Sequence, residues 1–178
     1  GVRMSFPVVA GFILAAGENR RLRPATLSRP KALIPFAGVP LLELVVSQLQ
    51  PLPLCGVLVN AWYLADQVAD ACRTLAAATR LDLRVSRETR LLDTGGGLRH
   101  GARLLPEAEH FLVHNADVVL DYDLRQLLAR HLASGAAATV LLVPERGPRT
   151  VTLDADGRVG ACRLPPGAGE FTFAGGPV

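Results

Sequence analysis

The sequence predicts an α/β fold, a three-layer α/β/α arrangement on a mostly parallel, mixed sheet, and three observations point to it. Short apolar runs alternate with stretches of helical periodicity, the order expected of βαβ units. The run Val8–Ala15 is continuously apolar, as a strand buried on both faces must be. Polar loops follow three candidate strands, where open parallel sheets gather their ligands.

The elements follow in order. Val8–Ala15 is the first strand. Gly17–Pro40 is rich in Arg, Pro and Ser, too polar for core and too long for a connector; such loops are usually functional. A helix runs from near Leu41 to before Pro51. Val57–Val59 is a second strand, and Ala65–Ala78 a helix with Val68, Ala71, Cys72 and Leu75 on one face. Leu81–Val85 reads as a third strand. A loop over Arg87–Thr94 leads into Gly95-Gly96-Gly97 and then a helix through Leu105. Phe111–His114 is a strand closing on Asn115-Ala116-Asp117. Tyr122–Ala133 is helical, capped by Asp121 or Asp123, and Ala138–Val143 is a strand. Asp154-Ala155-Asp156-Gly157 turns a hairpin between Val151–Leu153 and Arg158–Leu164. With no repeat and no linker, residues 1–178 are expected to form a single domain.

Composition narrows the function. The chain has 178 residues, nearly half of them hydrophobic, and a net charge of +3, which fits a globular protein with a sizeable core. Its densest basic cluster, Arg20, Arg21 and Arg23, sits in one loop. That favours a small anionic ligand over nucleic acid, which wants a basic stripe and aromatic platforms. Cys55, Cys72 and Cys162 lack metal-ligand spacing and read as reduced cytoplasmic thiols. The four histidines form no close pair and are taken as structural or exposed. The apolar stretch Phe6–Ala16 is preceded by a single charge, Arg3, and is not taken as a secretory leader. No run approaches transmembrane length.

Lys31 is the chain's only lysine, set in a Pro-Lys pair. An ammonium is a compact point charge where a guanidinium is a wide fork, so a crowded phosphate can accept the first and reject the second. Three loops each bring a tool. The first offers backbone amides near Gly17 with Arg21 and Lys31, which suits a triphosphate. In the second, Gly95–Gly97 either lets backbone approach a flat ligand or serves as a flexible helix entry. The third ends in Asp117, a hard oxygen ligand suited to Mg²⁺ or a turn residue after its strand. Together they form a set for phosphoryl or nucleotidyl transfer, where catalysis is mostly positioning and charge neutralisation. Neither G-x-x-x-x-G-K-[ST] nor G-x-G-x-x-G is present.

The segment LAAGENRRLRPATLSRPKALIPFAGVPLLE, Leu14–Glu43, resembles the signature of sugar-1-phosphate nucleotidylyltransferases. VNAWYLADQV (Val59–Val68), LLDTGGGLRHG (Leu91–Gly101) and VHNADVVLDYDL (Val113–Leu124) extend the resemblance over most of the chain. It is nearest the branch of N-acetylmuramate 1-phosphate uridylyltransferases and short mannose-1-phosphate guanylyltransferase-like proteins. A molybdopterin-type nucleotidyltransferase has a similar opening loop, but Lys31 and GVPLLE fit the sugar branch better.

The resemblance implies a Rossmann-like fold of the nucleotide-diphospho-sugar transferase type. It implies a cytoplasmic, Mg²⁺-dependent reaction for cell-envelope precursors, in which an NTP (UTP or GTP) and a sugar 1-phosphate give an NDP-sugar and pyrophosphate. Leu14, Ala15, Ala16 and Gly17 would face the nucleotide. Arg21 would neutralise the departing pyrophosphate, and Lys31 would hold the α-phosphate region. Glu88, Thr94 and Gly95 would line the base pocket, Asn115 would contact the nucleoside, and Asp117 would ligate the metal. Oligomeric state stays open.

Two departures matter. Asn19 replaces the second glycine of the family's G-x-G; Asn tolerates left-handed backbone, so the turn is expected to survive. Family members also continue past a segment like FTFAGGPV (Phe171–Val178) into a region with a second metal-binding carboxylate and part of the sugar pocket. Weak or absent turnover is therefore expected of these 178 residues. A non-catalytic nucleotide or sugar-phosphate sensor on the same fold is the alternative.

Overall fold

A computed structural model describes residues 7–144 and 146–174. Arg3, Phe6 and the end of the FTFAGGPV segment lie outside the described residues. The chain divides into two compact units, 1–125 and 126–178.

The first unit is built on a four-stranded parallel sheet. Its strands are β1 (Val9–Leu14), β4 (Leu54–Ala61), β5 (Leu83–Arg87) and β6 (His110–Asn115), in the order β5-β4-β1-β6. Between β1 and β4 come a small antiparallel hairpin, β2 (Pro35–Phe36) with β3 (Val39–Pro40), and helix α1 (Leu41–Leu49). Ala37 and Gly38 turn that hairpin, both at positive φ. Helix α2 (Ala65–Ala78) joins β4 to β5, and α3 (Asp93–Gly101) joins β5 to β6.

Strand residues alternate between faces. Ala10, Phe12 and Leu58 pack with Leu105 on one face, all fully buried, with Leu98 of α3 and Phe111 beside them. The Phe12 and Phe111 rings meet edge to face, centroids 6.4 Å apart, a favoured aromatic geometry. Ile13, Val57 and Val59 are also fully buried, but their positions alternate with those and point to the opposite face. Helix α2 packs against β4 and β5 and buries Val68, Ala69 and Cys72. Each Val, Leu, Ile or Phe side chain among these contributes about 1.5–3 kcal/mol when fully buried. The doubly covered sheet is the α/β layering expected from sequence.

The bounds of α2 are those read from its periodicity. The start of α3 differs: the helix begins at Asp93 and takes all three glycines inside it, where a loop was expected. Contacts beneath the helix, described below, explain why.

The second unit takes in most of α4 (Leu124–Ser134) and two antiparallel pairs: β7 (Leu142–Pro144) with β10 (Phe171–Phe173), and β8 (Thr152–Leu153) with β9 (Val159–Ala161). Asp123 caps α4, its Oδ1 accepting the Arg125 N–H at 3.0 Å. Asp154 organises the expected turn, its Oδ1 accepting the N–H groups of Asp156 at 3.0 Å and Arg158 at 2.9 Å. The strand expected over Ala138–Val143 is shorter and later, because only Leu142–Pro144 finds partners, along β10.

Candidate functional site

The parallel register sets the site. At the carboxyl end of β1, Leu14 pairs with Asn60 of β4 on one side and Asn115 of β6 on the other. Pairing persists one step past β6, where the Ala116 N–H donates to the Leu14 carbonyl at 3.0 Å. Beside β4, the Glu88 N–H donates to the Ala61 carbonyl at 2.9 Å. The three loops therefore leave from one rim of the sheet, as ligand sites in open α/β sheets require.

Lys31 and Asp117 meet at that rim. Pro30 precedes a short 3-10 turn over Lys31–Leu33, and the ammonium reaches across 86 positions of sequence to donate to Asp117 Oδ2. The two side chains keep 28% and 30% of their surface in water. Ion pairs this open are worth about 0–1 kcal/mol. The contact is therefore weak enough to be traded for a phosphate.

Arg21 takes no part in that ion pair. Glu18 takes the other two arginines of the cluster, Arg20 at 2.7 Å and Arg23 alongside. Hydrogen bonding from Arg20, then the two positive charges, holds the Glu18 carboxyl below its usual range. Among the described residues Arg21 has no side-chain hydrogen bond or ion pair and is exposed, in a 3-10 turn over Arg20–Leu22. The basic cluster thus offers one uncommitted guanidinium where the sequence suggested three.

The first loop is held by its own polar groups. Asn19 is left-handed at φ 52°, so the turn survives the loss of glycine, and its Nδ2 donates to the Gly17 carbonyl at 2.8 Å. Thr26, buried, donates to the Asn19 carbonyl at 3.2 Å. From just ahead of α2, the Tyr63 hydroxyl donates to the Thr26 carbonyl at 2.8 Å, and from its first turn Gln67 donates to the Ser28 carbonyl at 2.9 Å. This anchoring gives VNAWYLADQV a physical purpose that its sequence did not reveal.

The second loop centres on Glu88, which is 7% exposed. Its Oε1 accepts from Asn60 Nδ2 at 2.8 Å and its Oε2 from the Leu92 N–H at 3.0 Å. Asn60 Oδ1 in turn accepts the Ala15 N–H at 2.7 Å. A Cβ on Gly97 would lie 2.8 Å from both Asn60 Nδ2 and Glu88 Oε1. A Cβ on Gly101 would lie 2.5 Å from Phe12 Cε2. These two glycines let α3 settle onto the sheet, which is why the run folds as helix. Gly95 faces open space and is exposed, and Thr94 is half-buried. Sequence reasoning missed Asn60; its one local signal is a polar residue closing an apolar strand.

His114 is buried, with Nδ1 2.8 Å from the Asn115 carbonyl. A carbonyl only accepts, so Nδ1 carries the proton, and burial pushes the imidazole pKa down. Its Nε2 is buried and has no hydrogen-bond partner among the described residues. Among the described residues no cluster of three or more His, Cys, Asp or Glu could hold a metal ion. Asp117 alone still fits Mg²⁺, which binds through one or two carboxylates plus substrate phosphates, and this carboxylate already draws a cation.

Comparison with known proteins shows the family. Residues 11–161 match the model of the MobA-like NTP transferase domain. The chain belongs to that nucleotidyltransferase family. It is 34% identical over 140 residues to the mannose-1-phosphate guanylyltransferase catalytic subunit beta of Drosophila melanogaster, covering 76% of this chain and 37% of that protein. It is also 34% identical over 154 residues to the mannose-1-phosphate guanylyltransferase of Mycobacterium tuberculosis, covering 85% of this chain and 42% of that one. The resemblance to sugar-1-phosphate nucleotidylyltransferases is thereby borne out. The chain spans roughly two fifths of these relatives. Its fold matches HddC from Yersinia pseudotuberculosis, solved in complex with GMP-PN, at TM-score 0.70 and 18% identity, over 94% of this chain and 73% of that one. Among the described residues no helix is long and apolar enough to cross a membrane.

Proposed function

We propose that this chain carries the nucleotide site of an enzyme transferring a guanylyl group from GTP to a sugar 1-phosphate, with mannose 1-phosphate the favoured acceptor. Guanine is preferred to uracil because the relatives named above are guanylyltransferases. The observation that carries the reading is the meeting of the single ammonium, Lys31, with the Asp117 carboxylate where three strand-following loops converge.

In the reaction an oxygen of the sugar phosphate attacks the α-phosphorus of GTP. The α–β bridging P–O bond breaks, and pyrophosphate leaves with the electron pair. Charge accumulates on the phosphate oxygens, and fixed cations aimed there lower the barrier. Lys31 would exchange Asp117 for the α-phosphate, and Arg21, uncommitted and exposed, would meet the departing pyrophosphate. Asp117, released, would hold Mg²⁺, which when bound neutralises phosphate charge. Glu88, Thr94 and Gly95 would line the base side, Leu14–Gly17 would face the nucleotide, and Asn115 would contact the nucleoside.

A thermal-shift panel of GTP, UTP, CTP and dTTP, with and without Mg²⁺, tests this. A nucleotide at a hundred times its Kd stabilises by about 2.7 kcal/mol, roughly 5–10 °C for a chain of this size. GTP with Mg²⁺ should give the largest shift. Equal small shifts for all four would sink the reading.

A further inference from the structure

We infer that Asn60 is a positioning residue for the nucleotide, a single amide that locks the first and second loops in one register. This rests on the reading above, in which those two loops face the nucleotide. Asn60 is 3% exposed and stands one residue from the end of β4, between β1 and β5. Its two ends are committed in opposite senses. Oδ1 accepts the Ala15 N–H at 2.7 Å, and Nδ2 donates to Glu88 Oε1 at 2.8 Å.

The chemistry of the neighbours fixes its orientation. A backbone N–H can only donate and a carboxylate can only accept, so the amide has one way round. Leu92 closes the other side of Glu88 through its N–H at 3.0 Å. Gly97 covers both groups so closely that any Cβ would lie 2.8 Å from each. The helix above has been cleared for this contact. Burying a carboxylate is costly unless donors meet it, and a strand end that only had to pack would be apolar. Asn60 and the Leu92 N–H supply those donors and leave Glu88 with unused acceptor positions. Such a group reads donor edges, and guanine presents two neighbouring donors, N1–H and the 2-amino group, where hypoxanthine presents one. Asn60 therefore acts through Glu88 on the base side and through the Ala15 amide on the other loop.

The test is GTP and ITP binding to the whole 178-residue chain, with melting temperature recorded for each variant. Asn60→Asp keeps the acceptor for Ala15 but sets a second carboxylate against Glu88. GTP affinity should fall by about tenfold or more, and the preference for GTP over ITP should vanish. The double variant Asn60→Asp with Glu88→Gln restores a matched donor and acceptor. It should recover the melting temperature, while GTP affinity stays reduced toward that of ITP and the base preference stays absent. If the single variant fails to fold, Gly97→Ala probes the same contact from above and should also weaken GTP. A folded Asn60→Asp or Gly97→Ala chain that binds GTP within about twofold of wild type, whatever its melting temperature, makes Asn60 purely structural and overturns the inference. Loss of GTP affinity with the GTP-to-ITP ratio intact refutes the arm through Glu88. A wild-type chain that binds no nucleotide removes the underlying reading, and the inference with it.

Discussion

Two polar groupings share one rim of the sheet, and they are built to opposite specifications. Asn60 and Glu88 are buried, 3% and 7% exposed, bonded to each other and tied to the loops by directed hydrogen bonds from Ala15 and Leu92. Lys31 and Asp117 keep nearly a third of their surface in water and, among the described residues, hydrogen-bond through their side chains only to each other. The first arrangement is expensive to disturb, because a buried polar group left unpaired costs about 1–3 kcal/mol. The second is worth about 1 kcal/mol at most. The difference teaches a division of labour. Groups that must keep their place are buried and hydrogen-bonded, and in the proposed reading the groups that change partners when phosphate binds are left at the surface.

The largest effect expected comes from the exchangeable pair. Lys31→Met should weaken GTP binding about 100-fold, roughly 2.7 kcal/mol, measured by calorimetry with Mg²⁺. The unliganded melting temperature should move by less than about 4 °C, since the pair itself contributes about 1 kcal/mol or less. A large drop in unliganded stability would erase the contrast between the two groupings. Lys31→Arg should restore little, because a planar fork does not replace a point charge in a crowded site.

Gly101→Ala gives the reverse pattern. Its Cβ would meet the Phe12 ring at 2.5 Å, and Phe12 is locked in the core. Overpacking of this kind costs about 1–3 kcal/mol, so the melting temperature should fall by roughly 3–10 °C. The molecules that remain folded should bind GTP as wild type does, which titration well below the melting point would show. Stability and affinity would then separate onto different residues.

A smaller change sharpens the same contrast at Asp117. Asp117→Asn removes the charge that competes for Lys31, so GTP binding without metal should be equal to wild type or a few-fold tighter. Adding Mg²⁺ should then improve wild type and leave the variant unchanged. Metal-dependent tightening that persists in Asp117→Asn would place the cation on another residue.

How much of this could be read from sequence depends on whether the deciding force was local. Helix α2 was legible to the residue because its periodicity and its burial agree at Val68 and Cys72. The glycine run misled because intrinsic propensity argues for loop, while the absent Cβ of Gly97 and Gly101 is what lets α3 reach the sheet. The hairpin of β2 and β3 escaped notice because two-residue strands flanked by Pro35 and Pro40 carry no alternation. Lys31 and Asp117 lie 86 positions apart, so nothing local joins them; family resemblance put both in the site, and the parallel register brings them together. Asn60 had no spacing to give it away, since one polar residue in an apolar strand reads as an ending. The family resemblance singled out Arg21 from its cluster, and the structure adds that Glu18 takes the other two arginines.

The smallest expected effect concerns the departure at Asn19. Its backbone sits at φ 52°, a region open to glycine and tolerated by Asn but strained for other side chains. Its amide also ties back to the Gly17 carbonyl at 2.8 Å. Asn19→Gly keeps the backbone and loses the amide contact, so stability should change by less than about 1 kcal/mol. Asn19→Ala loses both and should cost about 1–2 kcal/mol more than the glycine variant. If the loop's purpose is to hold its amides toward phosphate, GTP affinity should follow the same order, with glycine near wild type and alanine weaker. An alanine variant that binds GTP as tightly as the glycine one would mean that the left-handed turn shapes the loop without shaping the site.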